Sequence, residues 1–210
     1  VLQILDLSQI PLKATERTEE HPIVIGGGPC AYNPEPLADF FDIFYIGEGE
    51  VSYRALLDLY KECKIEGYSR EDFLFRASKI DGIYVPSLIE VKYNDDFTIK
   101  EFTAKKEGVS VTVKKEVETN LNDSYYPVKP IIPFIKATQD RITLEIMRGC
   151  PRGCRFCQAG QLYRPIRTRD VEVLKDFARQ MIENSGYEEI NLSSLSSSDY
   201  PELKELILYL

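Results

Sequence analysis

Cys150, Cys154 and Cys157 stand close together in the segment RGCPRGCRFCQAG. Thiolates are soft ligands, and a short loop that carries three of them can wrap one small inorganic object. Four irons held by three cysteines leave one iron open to a further ligand, so the spacing fits an iron–sulfur cluster built for chemistry. Structural zinc is a weaker fit: it usually takes four protein ligands in paired C-x2-C spacings, and the single histidine, His21, is far away in sequence. Inert thiols or disulfide partners are the remaining alternative, although flanking Gly, Pro and Arg make an odd core and an odd staple.

Six arginines (148, 152, 155, 164, 167 and 169) and no carboxylate lie between Arg148 and Arg169, in a chain of formal net charge -8. Such a loop can counter the charge of thiolates and cluster, or bind a carboxylate or phosphate. The alternative is a solvated turn. The CxxxCxxC spacing, with Phe156 directly before the last cysteine, resembles the signature of radical S-adenosylmethionine (radical SAM) enzymes. The resemblance implies a [4Fe-4S] cluster on Cys150, Cys154 and Cys157, with the unique iron binding the amino and carboxylate groups of SAM. It also implies one-electron cleavage of SAM to methionine and a 5′-deoxyadenosyl radical, with an electron donor such as flavodoxin or ferredoxin. Phe156 would contact the cofactor, and Arg148, Gly149 and Arg155 would tune or shield the cluster. The substrate is unknown.

The elements that must position this loop follow from periodicity. Residues 142–147 alternate as a strand, and the cysteines come directly after it, where functional loops of parallel α/β barrels sit. Residues 170–183 read as a helix behind Thr168 or Asp170 and ended by Gly186. Residues 187–192 form the next strand, which opens into the serine-rich SSLSSSD, and residues 201–210 begin another helix. Radical SAM relatives commonly carry a glycine- and glutamate-containing segment at this place to hold the cofactor's amino group. Here Ser193, Ser194 and Ser196 would offer hydroxyl or backbone contacts instead, while the plainer reading is a polar loop with Ser198 or Asp199 capping the next helix. Two strand–helix units cannot close a barrel. Residues 138–210 are therefore expected to be the start of a truncated radical SAM core barrel, and this 210-residue chain to be catalytically silent beside a longer parent.

Ahead of it, residues 22–25 and 42–46 read as strands that run into Gly26-Gly27-Gly28 and Gly47-Glu48-Gly49, with helices expected over 36–41 and 51–63. Two successive strand–glycine–helix units predict a parallel sheet with ligand-facing loops at its carboxyl edge. Neither glycine run is a dinucleotide or P-loop fingerprint. The stretch HPIVIGGGPCAYNPEPLADFFDIFYIGEGE looks like the cobalamin-binding-type, flavodoxin-like domain that precedes the barrel in one large radical SAM subgroup, where these loops lie beside the corrinoid. The DxHxxG segment that can ligate cobalt is absent and His21 reads as a loop or strand-edge residue, so the resemblance implies the fold more strongly than bound cobalamin. Residues 1–63 are assigned to this domain, incomplete at its amino terminus, and residues 64–137 to a β-hairpin connector and proline-rich linker, with a helix over 71–78 and alternating valines at 109, 111 and 113.

Composition agrees with an intracellular globular enzyme, expected in the cytoplasm. A 43% hydrophobic content can bury a core, five cysteines make no even-numbered secreted framework, and no apolar run approaches membrane-spanning length. The acidic balance argues against a generally cationic nucleic-acid surface. That weighs against the second enzymatic reading, an RNA-modifying, methylthiotransferase-like radical SAM enzyme. A non-enzymatic corrinoid-binding or scaffold protein is the third.

Overall fold

The computed structural model describes residues 1–135 and 137–210, which form two units, Val1–Val117 and Glu118–Leu210. The first opens with helix α1 (Leu2–Leu7), and strands β1 (Ile25–Gly26) and β2 (Ile43–Tyr45) then pair in parallel, with Ile25 opposite Ile43. All three residues of β2 are buried, which is why this strand is a continuous apolar run and not an alternating one. Helix α2 (Gly49–Glu66) ends at Gly67, whose left-handed φ of 72° suits glycine, and α3 (Arg70–Ala77) starts where the Ser69 hydroxyl accepts the Asp72 N–H. Strand β3 (Ile83–Tyr84) closes the sheet on the other side of β2. Leu56, Cys63, Phe73, Leu74 and Ala77 of the two helices pack on Ile43, Tyr45, Ile83 and Val85 to make the core.

Three local expectations change. The residues over 36–41 form a short 3-10 helix, Glu35–Phe40, in place of an α-helix; over so few residues the tighter i to i+3 bonding is a common alternative. Strand β3 runs antiparallel to β2, so the sheet is mixed and only its β1–β2 pair is parallel. The alternating valines form no strand among the described residues. Val109 and Val113 instead lie against the cluster of Ala31, Phe44, Ile46, Tyr84 and Ile89, so their alternation buries side chains without building a ladder. The expected hairpin is present as β4 (Ile89–Tyr93) and β5 (Ile99–Ala104), with Asp96 accepting the Thr98 N–H in the turn.

The second unit is built on a βαβ crossover. Strand β6 (Ile142–Glu145) leads through β7 (Met147–Arg148), the short helix α4 (Ala159–Leu162) and β8 (Arg167–Thr168) into helix α5 (Val171–Ser185). Gly186, at φ 72°, ends α5, and strand β9 (Ile190–Ser193) returns parallel to β6 in the register Ile142 to Ile190 and Glu145 to Ser193. Leu174, Ala178 and Met181 recur at helical spacing on α5 and seat it on Ile142, Leu144 and Ile146, with Leu206 of the last helix α6 (Leu203–Tyr209). Leu144 has no exposed surface, a burial that stabilises by about 1.5–3 kcal/mol. Among the described residues no helix is long and apolar enough to cross a membrane.

Candidate functional site

The cysteine loop leaves the carboxyl end of β6 and is closed at its base. Strands β7 and β8 pair antiparallel there, with Met147 opposite Thr168 and Arg148 opposite Arg167, and the Arg169 N–H donates to the Ile146 carbonyl at 3.0 Å. Gly149 has φ 87°, and a Cβ on it would lie 2.9 Å from both Ile166 Cα and the Tyr163 carbonyl oxygen. Backbone thus passes over backbone at the loop's mouth, an approach open to glycine alone. Within the loop the Cys157 N–H donates to the Cys154 carbonyl at 3.0 Å. Cys154 is exposed, Cys150 and Cys157 are half-buried, and Phe156 stands 93% exposed.

The three thiols share one loop without being drawn to one point. Among the described residues no three Cys, His, Asp or Glu side chains are grouped closely enough to hold a metal ion. Their chemistry nevertheless fits an iron–sulfur cluster: three soft donors on a solvent-reachable loop without a carboxylate.

Five of the six arginines have fixed partners, and only the exposed Arg155 matches the picture of a solvated turn. Arg167 is buried and donates to the carbonyls of Pro165, Tyr163 and Glu118, stapling the returning leg of the loop. Arg164 donates to the Gly160 carbonyl at 3.1 Å. Arg148 makes a two-toothed contact with Glu145, Nε to Oε1 at 2.8 Å and Nη2 to Oε2 at 3.0 Å. Arg152 grips Asp199 in the same way, at 2.7 and 2.6 Å.

That last pair joins the cysteine loop to the serine loop, which leaves the carboxyl end of β9. Ser193 ends β9 opposite Glu145. The Ser194 and Ser197 hydroxyls are 2.9 Å apart, and the Ser196 hydroxyl donates to Asp199 at 2.7 Å. The Ser196 hydroxyl, followed by the Arg152 guanidinium, holds the Asp199 carboxyl below the usual aspartate range. The loop folds as a 3-10 turn over Ser197–Asp199, and Glu202, not Ser198 or Asp199, stands at the start of α6. Sequence reasoning missed Glu145 and the Arg152–Asp199 pair. Glu145 carried one signal, a carboxylate three residues before Arg148 in a loop otherwise served only by cations.

In the first unit, the turns after β1 and β2 leave the same edge of the parallel pair. Gly28 has φ 82° with open space where a Cβ would stand, whereas Gly47 has φ 132° and would place a Cβ 2.5 Å from the Glu116 nitrogen. The Glu116 N–H donates to the Ile46 carbonyl and its carbonyl accepts the Glu48 N–H, both at 3.0 Å. The chain's own backbone therefore requires glycine at position 47. Gly26 faces the Phe44 ring, Gly27 has room for a side chain, and Gly49 begins α2. His21 accepts the Thr18 N–H on Nδ1 at 3.0 Å, as a loop-ordering residue does.

Two family models match this sequence: radical SAM proteins, N-terminal, over residues 1–86, and radical SAM superfamily over residues 144–210. Together they support placing the chain in the radical SAM superfamily. The radical SAM superfamily match takes in the whole β6–β9 unit from Leu144 onward, with the cysteine and serine loops, and the N-terminal match takes in both glycine turns. The chain is also 30% identical over 201 residues to an uncharacterized protein of Methanocaldococcus jannaschii, an alignment covering 95% of this chain and 37% of that protein. The chain thus spans little more than a third of the length of that curated relative.

Proposed function

We propose that this chain carries the cluster-binding part of a radical SAM enzyme, with Cys150, Cys154 and Cys157 as the ligands of a [4Fe-4S] cluster. The observation that supports it best is the placement of the CxxxCxxC loop: it leaves the carboxyl end of β6 and is tied by Arg152–Asp199 to the loop that leaves the parallel neighbour β9. When bound, the cluster supplies the electron that cleaves SAM to methionine and a 5′-deoxyadenosyl radical. The chain's own part is positional. Gly149 lets the two legs of the loop close, Arg167 staples the returning leg, and the ladder between β7 and β8 fixes the base. Arg155 and Phe156, both exposed, are available to shield the thiolates and to contact the cofactor. Ser193, Ser194 and Ser196 place hydroxyls and backbone polar groups on the same sheet edge, where they can meet the polar end of SAM. The whole protein would draw its electron from a flavodoxin- or ferredoxin-like donor and act in the cytoplasm on a substrate that neither unit identifies. For the first unit we propose a structural use of Gly47, given the Glu116 backbone beside it.

Anaerobic reconstitution of the full-length protein tests the reading. About four irons per chain should be taken up, lost on Cys150→Ala, Cys154→Ala or Cys157→Ala, and dithionite should then drive 5′-deoxyadenosine formation from SAM. Stoichiometric zinc, with no cluster signal under iron-supplemented anaerobic conditions, would overturn it.

A further inference from the structure

We propose that Glu145 is a positioning residue, a carboxylate clamp that fastens the two legs of the cysteine loop to each other. Its carboxylate meets one guanidinium from each leg. Arg148, on the outgoing leg, holds both oxygens, and Arg169, just past β8 on the returning leg, reaches Oε2 at 3.5 Å. The Glu145 side chain is 29% exposed and that of Arg169 only 1%. The outgoing arm is therefore partly screened and the returning arm lies in low dielectric.

The surroundings leave Arg169 dependent on this partner. Its guanidinium lies over the rings of Tyr126 and Phe177, 4.9 and 5.6 Å from their centroids, and those rings stack on each other at 4.9 Å. One nitrogen donates to the Leu121 carbonyl, while Nε is buried without a hydrogen-bond partner. A guanidinium removed from water needs a counter-charge, and Glu145 is the carboxylate paired with it. The clamp is itself bolted to the sheet. The Glu145 N–H donates to the Tyr126 hydroxyl at 2.9 Å, and that hydroxyl donates to the Thr143 carbonyl at 2.7 Å. Cys150 follows Arg148 by two residues across the pinned Gly149, so fixing Arg148 fixes the first thiol relative to β6. Residues that orient metal ligands in this indirect way typically matter tenfold to a hundredfold for metal affinity or activity. The consequence for the metal rests on the cluster reading, while the clamp itself does not.

The test is Glu145→Gln in the full-length chain, which keeps the shape and removes the charge. In the metal-free protein, hydrogen exchange over residues 147–169 should quicken by about tenfold while the middle of α5 stays protected. After anaerobic reconstitution, chelator should strip iron about tenfold faster, and the electron paramagnetic resonance signal of the reduced cluster should broaden and respond less to added SAM. Arg148→Gln removes the outgoing arm while leaving Arg169 its carboxylate, and should give a smaller change of the same kind. It carries the test if the glutamine variant does not fold. Unchanged exchange across the loop would overturn the clamp, whatever happens to the metal. Faster exchange with unaltered iron loss and an unaltered cluster signal would overturn the positioning role. A wild-type protein that takes up no cluster would overturn the cluster reading, and the exchange measurement would still decide the clamp.

Discussion

Replacing Gly149 with alanine should open the cysteine loop, and the size of the effect follows from two separate costs. At φ 87° an L-residue is in the left-handed region, which costs roughly 1–2 kcal/mol. The new methyl would also stand 2.9 Å from Ile166 Cα and the Tyr163 oxygen and 3.0 Å from the Pro165 oxygen, all backbone atoms that cannot rotate away. Forcing such a contact typically costs about 1–3 kcal/mol. Alanine stiffens the unfolded chain and returns about 0.4–1 kcal/mol, so the net loss should be on the order of 2–4 kcal/mol. Gly153→Ala is the internal control: its φ is 62°, but nothing lies within 4 Å of the added carbon, so only the conformational cost remains and the net should be about 0–1.6 kcal/mol. Urea denaturation gives the two stabilities, and hydrogen exchange over residues 149–166 shows whether the damage is in the loop. Equal effects from the two substitutions would show that the backbone crossing at Gly149 contributes nothing, and the closed-loop picture would fail.

Four further outcomes are expected. Asp42→Ala removes the carboxylate that faces Arg17 at 2.9 Å and Arg70 at 2.8 Å, the Asp42 and Arg17 side chains being 2% and 0% exposed, and should cost the first unit about 3–5 kcal/mol in a denaturation experiment. Leu144→Ala, in a core position without exposed surface, should cost the second unit about 2–5 kcal/mol by the same measurement. The Asp199 carboxyl is depressed in the folded chain, so its contact with Ser196 and Arg152 should be fully present above the ordinary aspartate pKa and be lost as pH falls through the folded value. An NMR titration that finds Asp199 at an ordinary aspartate pKa would contradict this. Arg152→Gln should raise that titration toward the ordinary value while leaving global stability nearly unchanged, since the arginine side chain is 59% exposed.

The first unit illustrates where local pattern stops. Its strand over 43–45, the helix that follows and the hairpin of β4 and β5 were legible, because an apolar run, a helical apolar stripe and turn residues act within a few positions of themselves. The direction of β3 was not, since two residues of strand have no local signal for the neighbour they will pair with. Nor was the reason for glycine at 47. A glycine run after a strand reads equally as a ligand-facing turn or as a place where backbone passes, and the choice came from Glu116, far along the chain.

In the second unit the sequence by itself determined which soft donors the loop carries. Three cysteines at that spacing behind an alternating strand specify soft ligands on one loop, a property of residue type and of chain connectivity alone. The crossover helix and its glycine stop were set locally as well. The tertiary structure decided how the loop is held. Glu145 alternates like any half-exposed strand residue, and only the return of the chain through β8 brings Arg169 to the carboxylate that Arg148 already occupies. Arg152 and Asp199 are separated by α5 and β9, and the parallel pairing of β6 with β9 makes them neighbours. Charge attraction has no sequence period, so the partners of these arginines could be known only once the backbone had placed them within a few ångströms of a carboxylate.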